Sequence, residues 1–146
     1  MSGIIVGIDG SDHSQRALGW AVQEAAAHQV PLTVITVCRA AAGYWGGAAA
    51  HPRDHLFAAQ ARRDAEDATD KALANTSGTR PASVTVNAIS GIPADELINA
   101  SRDADMLVVG SRGTGGFDRL LLGSVSCQIV HHAHCPIVVI PAEDRR

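Results

Sequence analysis

Only one lysine, Lys71, occurs in the 146 residues, and no G-x-x-x-x-G-K-[ST] stretch surrounds it. The lysine-dependent phosphate loop of P-loop kinases and ATPases is therefore excluded. Nor does G-x-G-x-x-G follow the first apolar run, where Gly7, Asp9 and Gly10 stand in another arrangement; this removes the dinucleotide dehydrogenase fingerprint. Aromatic residues make up 3% of the chain, so the core must be built from Val, Ile, Leu and abundant Ala. The cysteines Cys38, Cys127 and Cys135 are odd in number and lack C-x-x-C spacing. They indicate neither a disulfide framework nor a thiolate zinc site, and buried free thiols are expected. No apolar run approaches the ~20 residues of a membrane span, and the opening MSGIIVGIDGSD lacks a basic segment followed by an apolar stretch and cleavage site. The expectation is a cytoplasmic protein without a membrane partner. Positive charge is scarce as well: 12 Lys+Arg against 15 Asp+Glu leave a net charge of -3. That offers no basic field to a nucleic-acid backbone and argues against such a partner.

What is present is an alternation of buried-looking strands and amphipathic helices, with a length that suits one domain over residues 1–146. GIIVGID (residues 3–9) is an unbroken Ile/Val run, as expected of a strand covered on both faces of a parallel sheet. Ser11 then caps a helix over residues 12–28, with Leu18, Ala21, Val22 and Ala25 on its apolar face. LTVITVC (residues 32–38) is a second strand, and the Gly/Ala segment after it, with Tyr44 and Trp45, has turn chemistry and little periodicity. A second helix is expected from His55 to about Asn75, with Phe57, Ala61, Ala65, Ala68 and Ala72 on one face among Arg, Asp and Glu. SVTVNAIS (residues 83–90) alternates partially, as suits a strand near a sheet edge. Pro93, Asp95 and Glu96 open a third helix, MLVVG (residues 106–110) is a fourth strand, Ser124 caps a last helix, and PIVVIP (residues 136–141) is a fifth strand. This order predicts a doubly wound α/β domain: a parallel sheet with right-handed crossovers and helices on both faces.

The stretch VVGSRGTGGFDRLLLGSVS then raises the question of function. Gly110 closes the fourth strand, Gly113 follows, and Gly123 and Ser124 open the last helix, a G-x2-G-x9-G-S spacing with Ser126 in the first helical turn. Glycines leave main-chain N–H groups uncovered, and a helix start adds unpaired N–H donors and the positive end of its dipole. Taken singly, the glycines serve turns and Ser124 caps a helix; taken together, they place several donors around one crevice at the strand carboxyl ends.

These residues resemble the universal stress proteins. The likeness runs along essentially the whole chain and rests on Asp9-Gly10-Ser11 after the first strand, VVGSRG at 108–113, GSVS at 123–126 and the closing HCPIVVIP. It implies a five-stranded sheet of order 3-2-1-4-5, the family's ATP-binding branch, and ATP over the ends of strands 1 and 4. Carried over by position, Gly7, Ile8 and Asp9 would line the nucleotide at the first strand, and the backbone of Val37 would meet the adenine edge. Val109, Gly110, Arg112 and Gly113 would contact ribose and phosphates, and Gly123, Ser124, Val125 and Ser126 would hold phosphates at the helix start. Asp9 cannot face a triphosphate without repulsion. It either accepts from a hydroxyl or amine, helps hold a bridging Mg²⁺, or caps the first helix.

Other features weigh less. His131, His132 and His134 point in different directions at a helix end and do not meet one metal ion; proximity to the helix C-terminus accounts for them. His51 and His55 lie around Pro52, with no secure helical register. Tyr44 and Trp45 sit on the sheet edge of the expected pocket, where the loop would act as a lid over the base. No Lys or evident Glu stands near the glycine motif to support hydrolysis. The expectation is a nucleotide-dependent stress or regulatory module with slow or no hydrolysis. The alternatives are an ATP-hydrolysing or adenylyl-handling enzyme, a cyclic-nucleotide binder, and a purely protein-binding dimer. In the implied order the apolar strand Ile137–Ile140 is a sheet edge, which a two-fold partner would cover, giving a homodimer.

Overall fold

A computed structural model of the chain describes residues 3–38, 52–76, 78–111 and 124–141. Strand β1 (Ile4–Ile8) is buried at every position, as the unbroken apolar run requires. Helix α1 (Asp12–His28) starts on Ser11, whose hydroxyl accepts from the Ser14 amide at 3.2 Å. That bond satisfies one of the amides a helix start leaves without an intrahelical partner. Leu18, Ala21, Val22 and Ala25 are buried along the expected stripe. β2 (Pro31–Cys38) leads to α2 (Pro52–Ala74) and β3 (Ser83–Ser90). Helix α2 begins at Pro52 and not at His55: a proline in the first turn lacks an N–H that no helical bond would have used, so it opens the helix instead of obscuring it. α3 (Pro93–Ala100) also starts on proline and tightens into a 3-10 turn, Ser101–Asp103. β4 (Met106–Gly110), α4 (Ser124–His132) and β5 (Ile137–Ile140) complete the order. Ser124 is the first helical residue of α4, one position further in than the cap expected of it.

The five strands form one parallel sheet ordered β3-β2-β1-β4-β5, the doubly wound arrangement. Successive side chains of a strand face opposite sides, and two cores result. Val6 and Ile8 of β1, Val34 of β2 and Val108 of β4 pack with Leu18 and Val22 of α1 and Ala65 of α2. On the other face Ile5, Ile35, Leu107 and Val109 pack with Leu97 of α3 and Ile129 of α4. Both outer strands are less covered: β3 has four exposed positions among its first five, and all four residues of β5 are half-buried despite being apolar. Buried Ser101 links the far end of α3 to the turn before β5, donating to the Ile98 carbonyl at 2.6 Å and accepting from the His134 amide at 2.9 Å.

At the amino end of the sheet, β1 and β4 are latched together. The Gly3 amide donates to Oδ2 of Asp105 at 2.9 Å, and the Asp105 amide donates to the Gly3 carbonyl at 2.9 Å. Gly3 has φ +82°, and a Cβ there would lie 2.2 Å from the Pro31 carbonyl oxygen. A backbone neighbour cannot rotate away, so both the conformation and the space demand glycine. Gly3→Ala is expected to lower unfolding stability by about 2–4 kcal/mol, from combined strain and overpacking; an unchanged midpoint in urea denaturation would contradict the requirement for glycine there.

Candidate functional site

The sheet is not paired evenly along its length. β1 stays in register with β2 from Ile4↔Leu32 to Ile8↔Thr36, and β4 stays with β5 from Leu107↔Ile137 to Gly110↔Ile140. Between β1 and β4 the pairs run only from Ile4↔Met106 to Val6↔Val108. Past those residues the sheet divides. The division falls where the chain leaves in opposite directions: α1 carries β1 towards β2 over one face, and α4 carries β4 towards β5 over the other. Such a switch point opens a crevice beyond the strand carboxyl ends, here bordered by Ile8 to Ser11 on one side and by Gly110, Ser111 and the start of α4 on the other.

Where the expected site residues are described, their side chains are largely committed to the two cores, which leaves their main chains as what they offer a ligand. The side chain of Ile8 is committed to the α1/α2 core, and that of Val109, only 4% exposed, to the α3/α4 core. Val37 and Val125 pack against the same second core. Gly7 is buried in β1, and a Cβ on it would lie 2.8 Å from Cδ1 of Leu97. Its lack of a side chain makes room for α3, a reason for glycine that the sequence pattern does not reveal because Leu97 is distant in the chain.

The two helix starts at the crevice differ in charge. Asp9 is exposed, and its Oδ1 accepts from the Ser11 amide at 2.9 Å, while the Asp9 amide donates to Oγ of Ser14 at 3.3 Å and that hydroxyl donates to the Ser11 carbonyl at 2.9 Å. Gly10, at φ +85°, makes the left-handed step this turn needs. Ser11 is thus the cap of α1, and Asp9 braces the turn before it. With Asp12 also in its first turn, α1 already has carboxylates at its positive end. The first turn of α4 contains no acidic residue, so of the two it is the one whose dipole, and whose first amides with no intrahelical partner, suit an anion. Ser124 there is exposed. Ser126 is 4% exposed and donates its hydroxyl to the Gly110 carbonyl at 2.5 Å. Asp9 stands on the opposite rim, a carboxylate of the kind that holds Mg²⁺ between itself and a phosphate.

Arg112, Gly113 and Gly123 of the glycine motif, and Tyr44 and Trp45 of the expected lid, lie outside the described residues. The cysteines correct one expectation. All three are free, but Cys127 is exposed on α4 and Cys38 and Cys135 are only half-buried, since Cys38 ends β2, Cys135 lies in the bend before β5 and Cys127 is turned outward on its helix. Burial still pushes the Cys38 thiol above its usual range. It does the same for Cys135, assisted by the Asp105 charge and opposed by a backbone hydrogen bond at Leu107. Among the described residues no group of three or more His, Cys, Asp or Glu is placed to hold a metal ion, His131, His132 and His134 included. No described helix is long and apolar enough to cross a membrane. Ser14, which braces the Asp9 turn, Leu97, which abuts Gly7, and Ser111, which donates to the Ile140 carbonyl, border these positions without being singled out from the sequence. Ser111 alone left a signal there, as the residue following Gly110.

A family model described as the universal stress protein family matches residues 1–141. Universal stress protein Rv1996 of Mycobacterium tuberculosis is 38% identical over 155 aligned residues, covering 98% of this chain and 49% of that protein. The chain spans about half the length of the curated relatives it matches. Among solved structures, the universal stress protein UspA from Lactobacillus plantarum superposes with a TM-score of 0.76 at 27% identity, over 95% of this chain and 97% of that one. A universal stress protein crystallised in complex with cAMP superposes with a TM-score of 0.65, again at 27% identity and over 95% of both chains.

Because Gly7 faces Leu97, Gly7→Val is expected to cost about 1–3 kcal/mol by overpacking. Pairing it with Leu97→Ala should cost less than the sum of the single changes, with a coupling of about 0.5–3 kcal/mol in denaturant titrations. Strict additivity would show that the two residues are not in contact.

Proposed function

The chain belongs to the universal stress protein family, and from that premise we propose that it is an ATP-binding regulatory module whose occupancy governs conformation or partner choice, with slow or no hydrolysis. The observation that carries the reading is the crevice where β1 and β4 part, lined by main chain and flanked by a helix start without acidic residues. The triphosphate would lie against the amides of Gly110, Gly113, Gly123, Ser124, Val125 and Ser126, with Arg112 adding charge. Adenine would meet the Val37 backbone, and Gly7 and Ile8 would line the floor. Asp9 would act through Mg²⁺ or a ribose hydroxyl, since a bare carboxylate repels phosphate. The spacing G-x2-G-x9-G-S supports a polyphosphate, because its glycines leave several main-chain donors uncovered.

A second reading, a cyclic-nucleotide binder, draws support from the relative bound to cAMP. Its single ester phosphate would leave most of the glycine donors unused, so ATP is preferred. Thermal unfolding with each ligand separates the two. With Mg-ATP at a hundredfold excess over its Kd, linkage adds about 2.7 kcal/mol of stability, and cAMP at the same concentration is expected to add less. Gly123→Val should abolish the shift without lowering the ligand-free Tm by a comparable amount. A wild-type Tm indifferent to Mg-ATP overturns the ATP assignment.

The module is also proposed to act as a homodimer through β5. Its half-buried apolar residues Ile137–Ile140 form a sheet edge, and a two-fold copy of the same strand would cover it. In this reading the protein works in the cytoplasm, on a small-molecule ligand and not on nucleic acid or membrane. Light scattering at micromolar concentration should return a dimer mass; a monomer would exclude this interface.

A further inference from the structure

The peptide group joining Gly110 to Ser111 is held at both of its poles. Its N–H, on Ser111, donates to the Ile140 carbonyl of β5 at 2.8 Å. Its carbonyl, on Gly110, accepts from the Ser126 hydroxyl of α4. Successive residues of a parallel strand turn their polar groups to alternate neighbours. Leu107 and Ser111 both donate towards β5, so the Gly110 carbonyl points to the β1 side. There β1 has already left the ladder, whose last pair is Val6↔Val108. The hydroxyl of Ser126 occupies the position that a β1 amide would have filled.

The geometry points to Ser126 as a positioning residue of the proposed nucleotide site: its hydroxyl fixes the Gly110–Ser111 peptide plane and is not itself a phosphate donor. The inference rests on the nucleotide reading of the crevice. A hydroxyl has one hydrogen, and that of Ser126, a residue only 4% exposed, is given to Gly110. Only lone pairs remain for a ligand, so Ser126 offers a phosphate its backbone N–H and nothing from its side chain. The plane it fixes sets the direction in which the chain enters the glycine motif. It also ties the first turn of α4 to the last residue of β5 through a single peptide. The start of α4, the end of β4 and the β5 edge must therefore move together.

The test uses the full chain with Ser126→Ala, Ser126→Val and Ser126→Thr. Amide exchange is followed first in nucleotide-free protein, with the Ser111 amide compared with those of the central strands β1 and β2. Loss of one buried hydrogen bond is expected to speed Ser111 exchange by about five- to tenfold relative to the central strands in the Ala and Val variants, and Thr should restore the wild-type rate. Titrations with ATP and with adenosine then give the second readout. In Ser126→Ala both affinities should weaken by the same factor, because the whole entrance is loosened. An unchanged Ser111 exchange rate in Ala and Val overturns the proposal. So does a loss confined to ATP, which would make the hydroxyl a direct phosphate ligand. If wild-type protein binds neither ligand, the nucleotide reading fails, while the exchange rates still decide whether Ser126 holds the peptide.

Discussion

Parallel strands joined by right-handed crossovers cannot be wound to both sides of a starting strand without one place where neighbouring connections depart over opposite faces. In this chain that place lies between β1 and β4, and the constraint is visible in the hydrogen bonding: the ladder ends at Val6↔Val108 while the pairs with the outer neighbours continue. The turn braced by Asp9, Gly10 and Ser11, the emergence of α4 and the unusual partner of the Gly110 carbonyl all occupy space created by that divergence.

The division of labour among atoms follows from the double cover. A strand buried on both faces commits each side chain to one core or the other, as Ile8 and Val109 show. Only the peptide groups at its end remain for anything lying beyond the sheet. The proposed site, if built in this way, would be insensitive to which apolar residue occupies positions 8, 37 or 109, and sensitive to any change that bends the backbone or adds bulk at the glycines. The charge of the two helix starts then sets polarity across the crevice, with carboxylates near α1 and none in the first turn of α4.

The fold was legible in the sequence to the extent that burial leaves a local pattern. Unbroken Ile/Val runs located the central strands, Ser11 located the start of α1, and the partial alternation of residues 83–90 located an edge. The start of α2 was missed because Pro52 is compatible with either opening or breaking a helix, and only the tertiary position of the segment decides. Cys127 was expected to be buried on the habits of cysteine, whereas its place on α4 turns it outward. At the site, the glycine spacing was readable, but the purposes of Gly7 and Ser126 were not. Each depends on a partner far along the chain, Leu97 in one case and Gly110 in the other, and no periodicity encodes such pairings.

The reciprocal bonds between Gly3 and Asp105 have a mechanical sense. β1 and β4 are riveted at one end, and their ladder runs out before the other, like the arms of a forceps. The rivet and the paired inner residues anchor both hydrophobic layers at that root, so the load on the fold is carried there and not at the strand tips.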